Sequence, residues 1–243
     1  MNKPPPQTYP LQYYLSPAQP CAYIPERQAI MATIDPHATL DQNMYTQLAA
    51  LGFRRSGSHV YRPQCPDCRS CIPLRIPVAN FLPNRSQRRT WKRNQNVQVN
   101  DSGVGFDERH FALFQRYVNK QHRDGGMDNP EVSDYLSFLT SPGIDTRFLE
   151  FHLDGQLLAV AVTDHLDNGL SAVYTFYDPD MSQRSPGVFT LLWQIEHSRH
   201  LGLSWLYLGY WITECRKMGY KNQYTPCEIL TLDGWQGLTA AQI

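Results

Sequence analysis

Apolar side chains recur every three to four residues in several stretches of the chain, which is the spacing of an amphipathic helix. One stretch spans residues 40–51 and ends at Gly52, a residue type common just past a helix end. The same spacing predicts three further helices. Their apolar positions are Phe111, Phe114 and Val118; Tyr135, Leu136 and Leu139; and Val188, Leu191, Leu192 and Ile195.

Runs rich in β-branched and aromatic residues predict strands, and they are clearest in the second half of the chain. Two of them flank Asp154 and Gly155, a dipeptide typical of a tight hairpin. With the helix around Leu191, the second half has the order β-β-β-α-β, so we predict an α/β protein with a mixed, α+β sheet. The predicted strands are 58–62, 74–78, 147–153, 156–163, 170–177 and 203–211.

The loop at 183–187 joins the third strand of this order to the helix. The order and the loop resemble the core of the GNAT acyltransferase fold, whose acetyl-CoA-dependent members bind pyrophosphate at the helix N-terminus. Arg184 and Gly187 match that loop, but Phe189 replaces its last small residue. A bulky ring is expected to block the pyrophosphate, which favours another acyl donor. An acetyltransferase and an ordinary polar loop remain alternatives.

Composition restricts the class of protein. The chain is 42% apolar, enough for a substantial core, and no apolar run approaches the roughly 18 residues of a membrane span. The opening residues lack an apolar signal-peptide core, so we expect a cytoplasmic protein with no membrane partner. The net charge is zero, yet residues 54–93 hold ten arginines and lysines against one acid, Asp67. Such a segment indicates a localised anionic partner, most commonly nucleic acid.

Five of these cations form what we call the basic stripe, which lies within residues 85–93. On a helix their spacing of i, i+3, i+4, i+7 and i+8 places all five on one face, where like charges repel one another. Phosphates of a nucleic acid would compensate that repulsion, and a solvated helix face is the alternative. The members of the basic stripe are Arg85, Arg88, Arg89, Lys92 and Arg93.

Three cysteines lie within seven residues, and a fourth lies upstream. Cytosolic thiols stay reduced, and a C-x2-C-x2-C spacing suits zinc or an iron–sulfur cluster, whereas free buried cysteines are the alternative. We expect that no cofactor is required, with zinc or an iron–sulfur cluster as a candidate occupant of the cysteine motif. The candidate ligands are Cys21, Cys65, Cys68 and Cys71.

Several motifs together resemble the bacterial aspartate/glutamate leucyltransferases, relatives of the eukaryotic arginyl-tRNA-protein transferases. The resemblance implies a GNAT-like fold, aminoacyl-tRNA as donor, and acceptor proteins with N-terminal Asp or Glu that are thereby marked for N-degron degradation. Eukaryotic relatives have Cys-Gly-Tyr-Cys where this chain has Cys-Ala-Tyr-Ile at 21–24, so a cluster carried over from them is in doubt. The motifs lie at 21–25, 52–57, 68–75, 81–89, 174–179, 206–212 and 217–221.

We expect an N-terminal region at 1–100, with the cysteines and the basic stripe, and a GNAT-like transferase domain at 101–243. Leucine is the favoured donor amino acid; arginyl transfer and a noncatalytic RNA-binding module are the alternatives. Asp178, which ends the third strand, is the candidate for holding or deprotonating the acceptor amine, with Tyr174 and Tyr177 beside it. Cations suited to the acceptor's acidic side chain are Arg75, His122, Arg184, Lys217 and Lys221.

Overall fold

The computed structural model describes residues 11–121 and 129–239. The strands are β1 (Tyr13–Leu15), β2 (Gln19–Pro20), β3 (Gln28–Ala29), β4 (Met31–Ile34), β5 (Arg54–Ser56), β6 (His59–Pro63), β7 (Ile72–Pro77), β8 (Gln98–Asp101), β9 (Thr146–Leu153), β10 (Gln156–His165), β11 (Gly169–Tyr177), β12 (Trp205–Trp211), β13 (Glu228–Thr231) and β14 (Gly234–Gly237). The helices are α1 (Gln42–Ala50), α2 (Arg85–Arg93), α3 (Glu108–Gln121), α4 (Val132–Leu139), α5 (Pro186–His200) and α6 (Arg216–Gly219). Short 3₁₀ helices cover Pro179–Arg184 and Tyr220–Gln223.

One large sheet organises the protein, with strand order β14-β13-β7-β12-β11-β10-β9-β8. Its pairs are antiparallel except for β11 and β12, which run parallel and are connected through α5. Asp154 and Gly155 form the turn between β9 and β10, both with positive φ, as a two-residue hairpin of this type requires. The predicted mixed sheet is therefore confirmed.

Helices cover both faces of this sheet, because the side chains of each strand alternate between the two faces. Phe189 of α5 packs on Phe151 and its neighbours on one face, and α2 lies against α5 there. Phe114 of α3 and Tyr135 of α4 pack on Phe148 and Phe176 on the other face. The catalytic candidates at the end of β11 thus lie between two helical layers.

A smaller sheet of order β1-β4-β6-β5 carries α1 and packs on the large sheet. A buried ion pair joins the two sheets: Arg55 of β5 donates to both carboxylate oxygens of Asp164 on β10, at 2.7 and 2.6 Å. Tyr45 of α1 and Thr146 of β9 donate to the same carboxylate. The charge of Asp164 is therefore fully compensated inside the protein, and β5 is held in place against the large sheet.

The predicted helices and strands are found with small shifts at their ends. The large sheet takes β7 and β8 from the N-terminal side of the chain, so strands from both sides of residue 101 share one layer. The division into residues 1–100 and 101–243 stays a prediction. Within the described residues, no helix combines the length and apolar character needed to cross a membrane.

Candidate functional site

The parallel strands β11 and β12 pair over only three residues each, 169–171 with 205–207, and then separate. Each strand also carries a bulge at the point of separation. Val173 of β11 has no paired residue on β10, and Leu208 of β12 has no paired residue on β7. A bulge leaves local backbone groups unpaired and redirects the strand. We call the resulting opening, between residues 172–177 of β11 and 208–211 of β12, the strand gap.

Arg54 of β5 reaches into the strand gap. Its guanidinium donates to the Ser171 hydroxyl at 2.8 Å and to the Ala172 carbonyl at 2.6 Å, which replaces part of the missing pairing on β11. Gly209 on β12 leaves room for it: a Cβ at that position would lie 3.1 Å from Arg54 Nε, and its φ is +79°. The motif at 52–57 was recognised in the sequence, but the role of Arg54 was missed. The position of a cation at the start of a strand does not indicate which distant strand its side chain will contact.

Lys221, in the short 3₁₀ helix Tyr220–Gln223, lies against β12. Its side chain is buried, with the residue 7% exposed, and Nζ donates to the Tyr210 carbonyl at 2.8 Å. Tyr210 lies opposite Pro73, which has no N–H, so β7 cannot supply that donor from the facing residue. Burial, and secondarily the charge of Arg54, lower the Lys221 pKa from 10.5 to about 7. Lys221 thus lies against β12, close enough to Arg54 for the two side chains to interact electrostatically.

Asp178 is placed where the third strand ends, as predicted. Its Oδ1 accepts from the Asp180 backbone N–H at 2.9 Å, which caps the short 3₁₀ helix, and from Arg116 of α3 at 2.8 Å. Arg116 also contacts Asp180 at 3.1 Å. Asp178 therefore has a structural task at this position in addition to any role toward a substrate.

Tyr174 and Tyr177 point to opposite faces of the sheet beside Asp178. The Tyr177 ring lies 4.8 Å from the Tyr117 ring, and a Cβ on Gly187 would touch it at 3.4 Å. Tyr174 packs 5.0 Å from Phe138, and its buried hydroxyl finds no hydrogen-bond partner among the described residues. Burial raises the pKa of Tyr117, Tyr174 and Tyr177, so the phenols stay neutral and can act as hydrogen-bond donors but not as bases.

The basic stripe lies on α2, as predicted, with all five cations exposed. Asn84 and Gln87 form a capping box that starts this helix, and Gln87, Thr90 and Trp91 face inward. The helix ends against the loop that follows Asp178, because Arg93 donates to the Gln183 carbonyl. The basic stripe therefore leads to the loop between β11 and α5.

The other predicted acceptor-binding cations are dispersed. Arg75 pairs with Glu228 at 2.8 Å and lies 3.6 and 4.3 Å from the rings of Trp205 and Trp235, so its guanidinium is engaged within the sheet. Arg184 donates to the Arg93 carbonyl at 2.9 Å. Lys217 is exposed on α6, and His122 lies outside the described residues.

Phe189 does not stand over the loop at 183–187. Its residue is 3% exposed, and its ring packs on Trp91 and Phe151, at 5.6 and 5.9 Å. The expectation that this ring blocks the loop was wrong, because the first turn of α5 directs position 189 toward the sheet. Two hydrogen bonds instead hold the loop against the end of α2: Arg93 donates to the Gln183 carbonyl, and Arg184 donates to the Arg93 carbonyl.

The candidate metal ligands lie close enough to interact electrostatically. Burial first, and then the thiols of Cys21, Cys65 and Cys68, raise the Cys71 pKa to about 12. The Cys68 pKa is lowered, mainly by hydrogen bonding to Ser70, and Arg27 donates to its Sγ at 3.1 Å.

The described residues do not bring three of these thiols within 4.8 Å of one another. Asp107, His110 and Glu150 do meet this distance, but both carboxylates contact Arg109, and His110 contacts Glu150 at 2.6 Å. The cysteines as placed are therefore not a closed tetrahedral site, and metal binding stays a prediction.

Two solved structures share part of this architecture. One is FemX, with 11% identity, a TM-score of 0.46, and coverage of 74% of this chain and 63% of that one. The other is the C-terminal domain of a putative lysylphosphatidylglycerol synthetase from Agrobacterium fabrum, with 11% identity, a TM-score of 0.46, and coverage of 74% and 57%. Likenesses of this strength carry no functional argument.

Sequence relatives are much closer. The families described as "Arginine-tRNA-protein transferase, N terminus" and "Arginine-tRNA-protein transferase, C terminus" match residues 19–89 and 109–231. The aspartate/glutamate leucyltransferase of Hahella chejuensis is 47% identical over 93% of this chain and 96% of its own length. That of Pseudomonas aeruginosa strain PAO1 is 49% identical over 94% and 97%. The chain therefore belongs to the arginine-tRNA-protein transferase family of aminoacyltransferases.

Proposed function

We propose that this protein transfers leucine from leucyl-tRNA to the N-terminal amine of proteins that begin with Asp or Glu, in the cytoplasm, and so marks them for degradation. The observation that carries the proposal is the junction of the basic stripe with the loop after Asp178. A tRNA bound along α2 would deliver its aminoacyl end beside the strand gap. The names of the relatives favour leucine, and the β-β-β-α-β order supports a GNAT-like core.

The chemistry requires positioning more than activation. The neutral α-amine of the acceptor attacks the ester carbonyl of the aminoacyl-tRNA; a C–N bond forms, the ester C–O bond breaks, and the ribose oxygen leaves with a proton. An N-terminal amine of pKa about 7.7 to 8.0 is partly neutral at cell pH, so no strong base is needed. Holding the two groups in attack geometry supplies much of the acceleration.

Groups at the strand gap suit this reaction. The neutral phenol of Tyr177 is a donor that can bind the ribose or the developing oxyanion. Asp178 can hold the ammonium form of the amine or receive its proton. In single-turnover assays Asp178→Asn should slow transfer at least tenfold; a near-normal rate would remove Asp178 from this role.

Acceptor recognition is proposed at the strand gap because Arg54 reaches into it and interacts electrostatically with Lys221. Neither forms an ion pair with an acidic side chain in the described part of the chain. A carboxylate of an N-terminal Asp or Glu would compensate both charges, whereas an amide or an apolar side chain would not.

The test is transfer of radiolabelled leucine or arginine from charged tRNA to paired peptides that start with Asp, Glu, Ala or Lys. Leucine on the acidic peptides alone is the expected result. Arginine on those peptides would reassign the donor, and binding of tRNA without any transfer would favour a noncatalytic RNA-binding module.

A further inference from the structure

Asp178 has one carboxylate oxygen that is already bound and one that is free. Oδ1 accepts from the Asp180 backbone N–H at 2.9 Å and from the Arg116 guanidinium at 2.8 Å. Oδ2 has no hydrogen-bond partner among the described residues and remains in contact with solvent, since the side chain is 22% exposed. Oδ2 is therefore the oxygen that can accept a hydrogen bond from a substrate.

The two donors on Oδ1 decide where Oδ2 points. The last torsion of an aspartate side chain has only a broad preference, so the contacts of the carboxylate set its orientation. The backbone of Asp178 is fixed, because its N–H donates to the Leu158 carbonyl of β10 at 2.8 Å. Without Arg116, the carboxylate would be held by the Asp180 N–H alone and could turn about that single hydrogen bond.

Arg116 is carried by a helix that is held firmly on the large sheet. Phe114 of α3 packs on Phe176 of β11, with ring centres 5.4 Å apart, and both belong to one buried apolar cluster. Phe176 lies two residues before Asp178 in the chain. This contact ties the helix turn that carries Arg116 to the strand end that carries Asp178.

A second carboxylate, that of Asp180, supports Arg116. Its Oδ2 accepts from Arg116 at 3.1 Å, and its Oδ1 accepts from Lys120 at 2.8 Å. The two cations are four residues apart on α3, where like charges repel each other, and the contact of both with Asp180 reduces that repulsion. Exposed ion pairs contribute little to the free energy of unfolding, so loss of the Arg116 side chain should leave the protein folded.

We propose that Arg116 is a positioning residue for leucyl transfer: by holding Oδ1 of Asp178, it directs Oδ2 toward an N–H of the acceptor amine. The proposal rests on the proposed function and on the role of Asp178 in it. Arg116 touches neither substrate, so it affects the reaction only through Asp178. Attack geometry is sensitive to small displacements, and a shift of about 1 Å can cost roughly 100-fold in rate.

The test is a double-mutant cycle on single-turnover leucyl transfer, with the affinity for charged tRNA measured separately. Arg116→Met should slow transfer about tenfold or more. In the Asp178→Asn background the same substitution should change the rate by less than about twofold, because the carboxylate that Arg116 positions is gone. Arg116→Lys, which keeps a charged donor for Oδ1, should be at least about threefold faster than Arg116→Met.

The matched control is Arg109→Met. Arg109 is another arginine of α3, 60% exposed against 52% for Arg116, and it likewise contacts two carboxylates, those of Asp107 and Glu150. Its loss should leave the transfer rate within about twofold of the unaltered protein, and both variants should unfold at similar urea concentrations.

Three results would overturn the proposal. One is a folded Arg116→Met variant that transfers leucine at the normal rate, and another is an equal slowing by Arg116→Met with and without the Asp178 carboxylate. The third is an equal slowing by Lys120→Met, which contacts Asp180 but not Asp178 among the described residues, because Arg116 would then only tether the helix.

These failures are distinguishable from failure of the proposed function. If the unaltered protein transfers leucine while any of the three results is found, only the positioning role of Arg116 fails. A near-normal rate of Asp178→Asn would remove Asp178 and Arg116 together and leave leucyl transfer standing. If the unaltered protein does not transfer leucine to acidic peptides, the proposed function itself fails.

Discussion

Removal of charge from the basic stripe tests the direction from which the tRNA approaches. Arg88 donates to the Pro83 carbonyl at 2.6 Å and Arg93 bonds to Gln183, whereas Arg85, Arg89 and Lys92 have no hydrogen bond or ion pair within the described residues. These three cations are therefore the ones available to phosphates. They span eight residues of α2, or roughly 10 Å along its axis at 1.5 Å per residue step.

The expected magnitude follows from counterion release. Each phosphate contact contributes about 0.7 to 0.9 to the slope of log K against log salt, so replacing all three cations by Gln should reduce the slope by roughly 2 to 3. At 0.1 M salt the triple variant should therefore bind roughly 100- to 500-fold more weakly than the unaltered protein. At 1 M salt this difference between the two proteins should nearly vanish. The capping residues Asn84 and Gln87 are untouched, so the helix should still form.

The assay is titration of charged tRNA at five or more salt concentrations, with single-turnover leucyl transfer in parallel. Ser86→Gln, an exposed position on the same helix that carries no charge, serves as the control and should leave the slope unchanged. A triple variant with the slope of the unaltered protein, or a loss of affinity equal at all salt concentrations, would show that α2 does not contact phosphates.

Three further predictions concern stability, pH and metal. Arg55→Met should lower the free energy of unfolding by about 3 to 5 kcal/mol, because Asp164 is left buried without its partner; urea unfolding checks this, and a loss below about 1 kcal/mol would contradict it. The Lys221 pKa is about 7 in the folded protein, below its unfolded value of 10.5, so between these pH values the unfolded chain binds more protons than the folded one. The free energy of unfolding should therefore rise with pH in this range, by up to about 1.4 kcal/mol per pH unit. Lys221→Met should flatten that rise, and an unchanged slope would argue against a buried, neutral lysine. Elemental analysis of untagged protein should find zinc or iron that Cys68→Ser removes; protein prepared without either metal would reduce the cysteines to packing residues.

The order of elements was accessible from local patterns. The helical spacing around Leu191, the alternation in 156–163 and the turn at Asp154 are properties of short segments, so the β-β-β-α-β order followed from them directly. The basic stripe was equally accessible, because i, i+3 and i+4 positions share a helix face whatever the helix packs against.

The candidate site depended on long-range contacts. Arg75 looked like a suitable cation in sequence but is held by Glu228, 153 residues further along the chain. Nothing in the sequence indicated that the Asn94 side chain binds the Arg184 carbonyl, since this contact depends on where that carbonyl lies in the folded chain.

The sequence by itself thus determined the longer helices, six of the fourteen strands in the described residues, the charged face of α2 and, through its motifs, the family. Only the tertiary structure decided which polar groups meet. Arg54 enters between β11 and β12 because these strands separate after three paired residues each, and the bulge in β12 forms against β7, a strand distant in the chain. Local periodicity encodes which face of an element is apolar, whereas register and burial are set by all the elements that pack together.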